Sequence, residues 1–410
     1  MNKAISSDTL TITNVDIVTP DGIRERSSLR VELGLITDIS PANTKWDDHH
    51  TIDGHGNLLL PGFVDIHADS LEAAISPRPS TPFSPQTILP TYDAELALHG
   101  ITAVFHCIGL ADLGERSKPL RRRGIASEII AAVRSFSKQA LLKTHIHLRY
   151  EITDTESLKV IEDLIRNQEI DLLSIMDHTP GFGVFKDIES YRAYFKRSGQ
   201  TVQEADEKYH DLLEMRKKVD EESLQSLIKS ALDQKISVVS HDDRTAEKLE
   251  WARRSGITIA EFPVSIEAVD YARQHGMQTV FGTPNLIRGM SHAGNLLVSD
   301  MLLTNRVDIL CLDYSPRCLL PALFKAASLT QKSLSEISRF FSLNPAQSVG
   351  IGDLTGSIEQ GKAADLILVD RNQQVPRILA TFVDGKPVYQ TIAYPLEESL
   401  TQGSHSGAHP

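Results

Sequence analysis

Cysteine is scarce: Cys107, Cys311 and Cys318 are the three in 410 residues, too few and too irregularly spaced for a disulfide framework. Two of them sit inside apolar strand-like runs, so a reduced, cytoplasmic setting is expected. Positive charge is also in short supply. Against 54 Asp and Glu stand 42 Lys and Arg, a net charge of -12, and this argues against a nucleic-acid partner, whose phosphates need net or clustered positive charge. Any anionic ligand has to meet a local basic pocket. No apolar run reaches the roughly 20 residues of a membrane span, and MNKAISSDTLTITNVDIV alternates where a secretory leader would be continuously apolar. No membrane partner is expected. The stretch 396–410 ends in small and polar residues and reads as a disordered tail, so its histidines are set aside.

What is present fits a globular enzyme: 41% hydrophobic and 23% charged residues, enough chain for a catalytic domain of roughly 250 to 300 residues and a smaller companion. From Thr9 to Leu60 short alternating segments (LTITNVDIV, LRVEL, LITDIS) are punctuated by Asp21-Gly22 and Gly54-His55-Gly56, the pattern of small strands and tight turns. A matching pattern returns in GSIEQGKAADLILVD and ILATFVDGKPVY, with Asp384-Gly385 as a hairpin turn. The expected organisation is one split β-sandwich domain from 1–60 and 352–395, enclosing a domain at 61–351.

Within 61–351, eight short Val/Ile/Leu-rich runs alternate with helical segments: LLPGFVDIH, ITAVFH, HIHLRYEI, LLSIMDH, SVVSHD, TIAEF, QTVFGT and DILCLD. Strands buried on both faces and joined by crossover helices read this way. Their number predicts an α/β fold, a (β/α)8 TIM-like barrel, with an open doubly wound sheet as the alternative. The charged segment near 188–234 is too long for one crossover helix. It is expected to be a helical insertion over the barrel mouth, either a solvated helix pair or a lid carrying basic residues to the substrate.

Barrel enzymes gather their chemistry at the carboxyl ends of the strands. Strand one ends in His67 and Asp69, strand three in Glu151, strand four in His178, strand five in His241 with Asp242 and Asp243, and strand eight in Asp313. Because side chains alternate faces, His67 and Asp69 point the same way, as do His147, Arg149 and Glu151. A lone strand-end histidine is more often a hydrogen-bonded core residue. Five strands presenting ligand types at one mouth point instead to a divalent metal site formed by His67, Asp69, Glu151, His178 and His241. Two ions are expected, zinc first, with manganese or iron(II) as alternatives. Asp313 ends an apolar strand, where an unpaired carboxylate is costly. It reads as the general base, or else as a helix N-cap before Ser315-Pro316. His106 reads as structural, while Asp242 and Asp243 are either orienting partners of His241 or N-caps.

Through LLPGFVDIHAD and GSIEQGKAADLILVD the chain resembles the amidohydrolase superfamily. It departs from the usual His-x-His at the first strand by having His67-x-Asp69. In that departure, and in HADSLEAAISPRP, HLRYE, SIMDHTPG, SHDD, AEFPVSIEAVDYARQHGM, GTPNLIRGMSHAGN and LDYSP, it is similar to the diphosphatase branch of phosphonate catabolism in the carbon-phosphorus lyase pathway. The resemblance implies hydrolysis of a ribose 5-triphosphate carrying a phosphonate at carbon 1, with release of diphosphate. Such a phosphorylated sugar needs cations, and Arg78, Arg149, Arg244 and Arg288 are the candidates, since guanidinium forks bind phosphate oxygens bidentately. Asn285 and His292 follow strand seven, where barrels often grip phosphate, although Pro284, Gly289 and Gly294 also suit a plain tight turn.

Two rivals remain. Another amidohydrolase activity, on a cyclic amide or N-acyl substrate, needs the same metals but a less basic pocket. A metal-free barrel serving as a binding scaffold is the other. A homodimer is left open.

Overall fold

The structure, a computed structural model, describes residues 9–41, 44, 50–78, 81–113, 118–197, 199, 201–290, 296–371 and 375–391. The tail expected at 396–410 and His292 lie outside them.

Two sheets organise the chain. The first has seven strands: β1 (Thr9–Thr19), β2 (Gly22–Glu32), β3 (Leu35–Pro41) and β4 (Thr51–Pro61) from the start, and β13 (Leu366–Asp370), β14 (Arg377–Val383) and β15 (Lys386–Gln390) from the end. Their order is β15-β14-β13-β4-β1-β2-β3, with β4 pairing antiparallel to β13 and parallel to β1. The sheet bends back on itself: Ile36 in β3 exchanges backbone hydrogen bonds with Gly361 and Lys362, and Ala364 donates to Gly34. That bend encloses a core of alternate apolar residues, among them Ile12, Ile17, Leu29, Leu59, Leu366 and Phe382. Period-2 alternation made both ends of the chain legible as strands, and burying each of those side chains contributes roughly 1.5–3 kcal/mol.

The second sheet holds eight strands in sequence order: β5 (Phe63–Ala68), β6 (Ile101–Leu110), β7 (Lys143–Glu151), β8 (Leu172–Met176), β9 (Ser237–His241), β10 (Ile259–Glu261), β11 (Gln278–Gly282) and β12 (Ile309–Cys311). Every neighbouring pair is parallel. The last strand returns to the first through a parallel bridge between Ala68 and Asp313, through Asp69 N donating to Asp313 O, and through Leu312 N donating to Asp65 Oδ2. The sheet is thus a closed (β/α)8 barrel, as the eight apolar runs predicted.

Its inner filling comes from Ile66, Phe105, Leu172, Val239, Ile259, Val280, Ile309 and Cys311, an apolar plug drawn from seven of the eight strands. Strand β7 is the exception. In register with Cys107 and Leu172 it carries His147, so a buried imidazole stands between a thiol and a leucine.

The two sheets join at Gly62, between β4 and β5, where a Cβ would lie 2.3 Å from Thr102. Asp365 locks the joint. Its carboxylate accepts from Lys143 Nζ (2.7 Å), Thr355 Oγ1 (2.5 Å) and the Asp384 amide (3.0 Å), while its carbonyl accepts from Gly62 N.

The charged segment after β8 forms three helices, Ile188–Arg197, Val202–Arg216 and Glu221–Asp233. The third buries Leu224, Leu227, Ile228 and Ala231 against the Leu158–Arg166 helix and β9, and so belongs to the ring of crossover helices. The first two share an aromatic cluster of Phe185, Tyr191, Phe195 and Tyr209. Arg216 ties them to the barrel by donating to the buried Asp177 carboxylate at 2.8 Å.

Candidate active site

His67 and Asp69, on one face at the end of β5, enter the barrel mouth as alternation requires. His67 is 1% exposed, and burial, then the neighbouring Arg149 charge, lowers its pKa to about 3. It is therefore a neutral imidazole with a free lone pair, the form that binds metal. Asp69 accepts from Arg149 Nη1 at 2.9 Å. Burial pushes its pKa up, but Arg149, together with the other positive charges around it, outweighs that and holds the carboxyl at about 2.

Below them lies a residue that the sequence reading missed. Glu261, the last residue of β10, is wholly buried, with Oε1 2.7 Å from His67 Nδ1 and Oε2 3.8 Å from His241 Nε2 and 3.9 Å from His147 Nε2. The 2.7 Å approach is poorly angled, and neither His67 Nδ1 nor Glu261 Oε1 completes a hydrogen bond. His147 Nδ1 lies 2.8 Å from the Ile66 carbonyl, which only accepts, so the ring proton sits on Nδ1. Its Nε2 lone pair is then buried and without a partner. A buried carboxylate facing imidazole lone pairs costs several kcal/mol unless a cation or proton comes between them. His67, His241 and Glu261 offer donor atoms all within 4.8 Å of one another, as do His67, Asp69 and Asp313, and His178, His241 and Asp242. Nitrogen and carboxylate oxygen donors in this number suit a divalent ion such as zinc or manganese.

His241 ends β9. Arg149 Nη2 lies 3.3 Å from its Nε2, and its Nδ1 lies 3.1 Å from Asp242. His178 is held between two carboxylates, Glu151 Oε2 at 2.7 Å and Asp242 Oδ2 at 3.6 Å. Burial works against its charge, but hydrogen bonds to Asp242 and Glu151 raise its pKa to about 9. Glu151 was expected among the ligands. It stands behind His178 instead, bonded to that ring, to the His178 amide and to Thr153, because its place at the strand end turns it towards the β8 loop.

Asp313 follows β12 with a φ of +56°, and Asp242 and Phe262 follow their strands at +54° and +51°. Left-handed backbone in a residue as bulky as phenylalanine is costly and collects at functional sites. Phe262 spends it by laying its ring edge-on against His67, with centroids 4.7 Å apart. The Asp313 carboxylate fits because Gly282 has no side chain: a Cβ there would lie 2.7 Å from Oδ2. Burial, then Asp69, raises its pKa to about 8, so it takes up a proton near neutral pH.

The basic residues divide. Arg149 is buried beside Asp69, and Asn285 lines the mouth from the β11 side. Arg78 lies further out, beyond Asp69 and Glu72. Arg244 was expected on the substrate but pins the neighbouring loop, donating to the carbonyls of Gly183 and Val184 at 3.0 and 2.8 Å. Arg288 is exposed and donates to Tyr314 Oη, outside the cavity lining. Two cations not foreseen, Lys118 and Arg121, line the mouth instead. They follow β6 by eight or more residues, beyond the reach of a rule based on strand ends.

A closed parallel barrel whose mouth gathers imidazoles and carboxylates, beside a β-sandwich built from both ends of the chain, defines the amidohydrolase class. The amidohydrolase family model matches residues 58–394, and the chain belongs to that family. It is 31% identical over 389 residues to the alpha-D-ribose 1-methylphosphonate 5-triphosphate diphosphatase of Escherichia coli strain K12, an alignment covering 92% of this chain and all of that protein. Among solved structures the fold resembles the dihydropyrimidinase of Brevibacillus agri (TM-score 0.62, 13% identity, 93% of this chain and 95% of that one). It also resembles the N-acetylglucosamine-6-phosphate deacetylase of Pasteurella multocida (TM-score 0.60, 15% identity, 92% and 99%).

Proposed function

We propose that this protein is a metal-dependent diphosphatase of a ribose 5-triphosphate bearing a methylphosphonate at carbon 1, acting in phosphonate breakdown. The observation that carries this reading is the full-length match to the Escherichia coli enzyme of that name. Support comes from the cations Arg149, Arg121 and Lys118 placed beside metal-type donors, in a chain whose net charge is -12. A site cleaving an amide in an unphosphorylated substrate has no need of them.

In this reading His67, His241 and Glu261 hold the ion, with His178, His241 and Asp242 near enough to one another to hold a second; zinc suits the donors best. Bound ions would raise the acidity of the attacking water and offset charge on the phosphoryl oxygens. Asp313 takes the proton of that water. One P–O–P bond breaks, water supplies the new oxygen, and diphosphate departs with the bond's electron pair. Arg149 stays ionised and offers its guanidinium to phosphoryl oxygens as charge builds there. Glu151 and Asp242 fix the orientation of His178.

Incubating the metal-loaded protein with the sugar triphosphate and assaying diphosphate tests the proposal directly. Release of diphosphate is expected. Opening of a hydantoin or dihydropyrimidine ring, with no diphosphate from the triphosphate, would overturn it in favour of an amide substrate. A protein that retains no stoichiometric divalent ion would point to a scaffold.

A further inference from the structure

The cavity at the barrel mouth continues past Asp69. Asp69, Lys118 and Arg121 line both it and a second cavity, which runs outward beside Glu72 and Pro77 to Arg78. The carboxylates on this flank are already matched: Asp69 by Arg149 at 2.9 Å and Glu72 by Arg121 at 2.9 Å. Among the described residues lining the outer cavity no other Asp or Glu occurs, so Lys118 and Arg78 are positive charge in excess. Two features show cations gathered ahead of an anion. The Lys118 ammonium is held below its ordinary pKa by Arg121 first and partial burial second, and Arg149 keeps its Nε buried without a hydrogen-bond partner. Like charges this close repel unless an anion lies among them. The opposite flank offers no such grip. Its described lining is Val184, Pro263, Val264, Leu296, Val298 and Asn285, with no Lys or Arg.

We propose that the polyphosphate tail lies along the flank of strands β5 to β7, gripped in order outward by Arg149, Arg121 and Lys118, with Arg78 at the far end. This rests on the triphosphate reading above and adds a direction to it. The terminal two phosphates, which leave as diphosphate, sit by Lys118 and Arg78 at the rim, so the product departs outward without passing the His67 and Glu261 donors.

Lys118→Ala, Lys118→Arg and Arg78→Ala test it without breaking the Glu72–Arg121 pair. The probe is inorganic tripolyphosphate, titrated into metal-loaded protein by calorimetry, with metal content measured afterwards to verify that the ion is retained. Lys118→Ala should weaken binding roughly tenfold, the scale of one charge-assisted hydrogen bond, Arg78→Ala by less, and Lys118→Arg should restore most of it. In turnover of the sugar triphosphate the Lys118→Ala loss should fall mainly on KM, and inhibition by diphosphate should weaken in step. Unchanged tripolyphosphate binding in both alanine variants, with normal diphosphate release, overturns this placement and leaves the reaction standing. Tripolyphosphate binding that depends on Lys118, in a protein that releases no diphosphate from the sugar triphosphate, overturns the reaction and leaves the placement standing.

Discussion

Glu261 Oε1 lies 2.7 Å from His67 Nδ1, with both side chains closed off from solvent and no hydrogen bond completed between them. A fully buried acid beside an imidazole held neutral is a relationship that a cation resolves. Glu261→Gln keeps the shape and removes the charge. It should lower divalent metal affinity by at least tenfold, read as metal retained per chain after dialysis against a weak chelator. Full retention in the variant would remove Glu261 from the ligand set.

Glu151 offers the contrast, since it reaches the site only through His178. Glu151→Gln should cost less metal than Glu261→Gln. It should also bring the His178 titration down from about 9 towards the ordinary histidine range, because the carboxylate that favours the imidazolium is gone. NMR titration of the ring in metal-free protein gives the sign.

Asp313 and Gly282 form a second testable pair, the glycine making room for the carboxylate. Asp313→Asn should retain metal and lose roughly 10²- to 10⁴-fold in kcat, the range that general-base catalysis contributes. Gly282→Ala should move the carboxylate and lower kcat as well, with metal content unchanged. Normal turnover in Asp313→Asn would end its assignment as base.

Asp365 predicts stability instead of turnover. Its carboxylate collects Lys143, Thr355 and the Asp384 amide where the two sheets meet. Asp365→Ala leaves several of these groups poorly paired and should cost about 2–4 kcal/mol, measured as the shift in urea midpoint. Asp365→Asn should recover part of it.

Asp93 supplies a pH dependence away from the site. Burial raises its pKa from 3.8 to about 6, although the Leu141 and Leu142 amides donate to it. A folded-state value above the unfolded one means the folded chain binds the proton more tightly. Its stabilising contribution is complete below about pH 3.8 and is lost as pH rises through about 6. Asp93→Asn has no such loss, so its stability relative to wild type should rise between pH 4 and pH 7. A difference that is flat across that range would count against the shift.

The sequence by itself determined the barrel, the split β-sandwich and the common face of His67 and Asp69. Each of these follows from a local rule: strands buried on both faces are runs of Val, Ile and Leu, and alternate residues share a face. Only the tertiary structure decided what those residues meet. Glu261 lies inside the run TIAEF, at the end of its strand, where the strand-end rule could have reached it; that it passes under His67 follows only from barrel closure. Glu151 obeys alternation and still ends behind His178, because the β8 loop brings that ring to it. Arg244 looked like a phosphate ligand and holds backbone carbonyls, while Lys118 and Arg121, far beyond their strand in sequence, are folded back to the mouth. Periodicity is a property of neighbouring residues along the chain, whereas pairing across the barrel depends on eight strands closing in register, which no local pattern encodes.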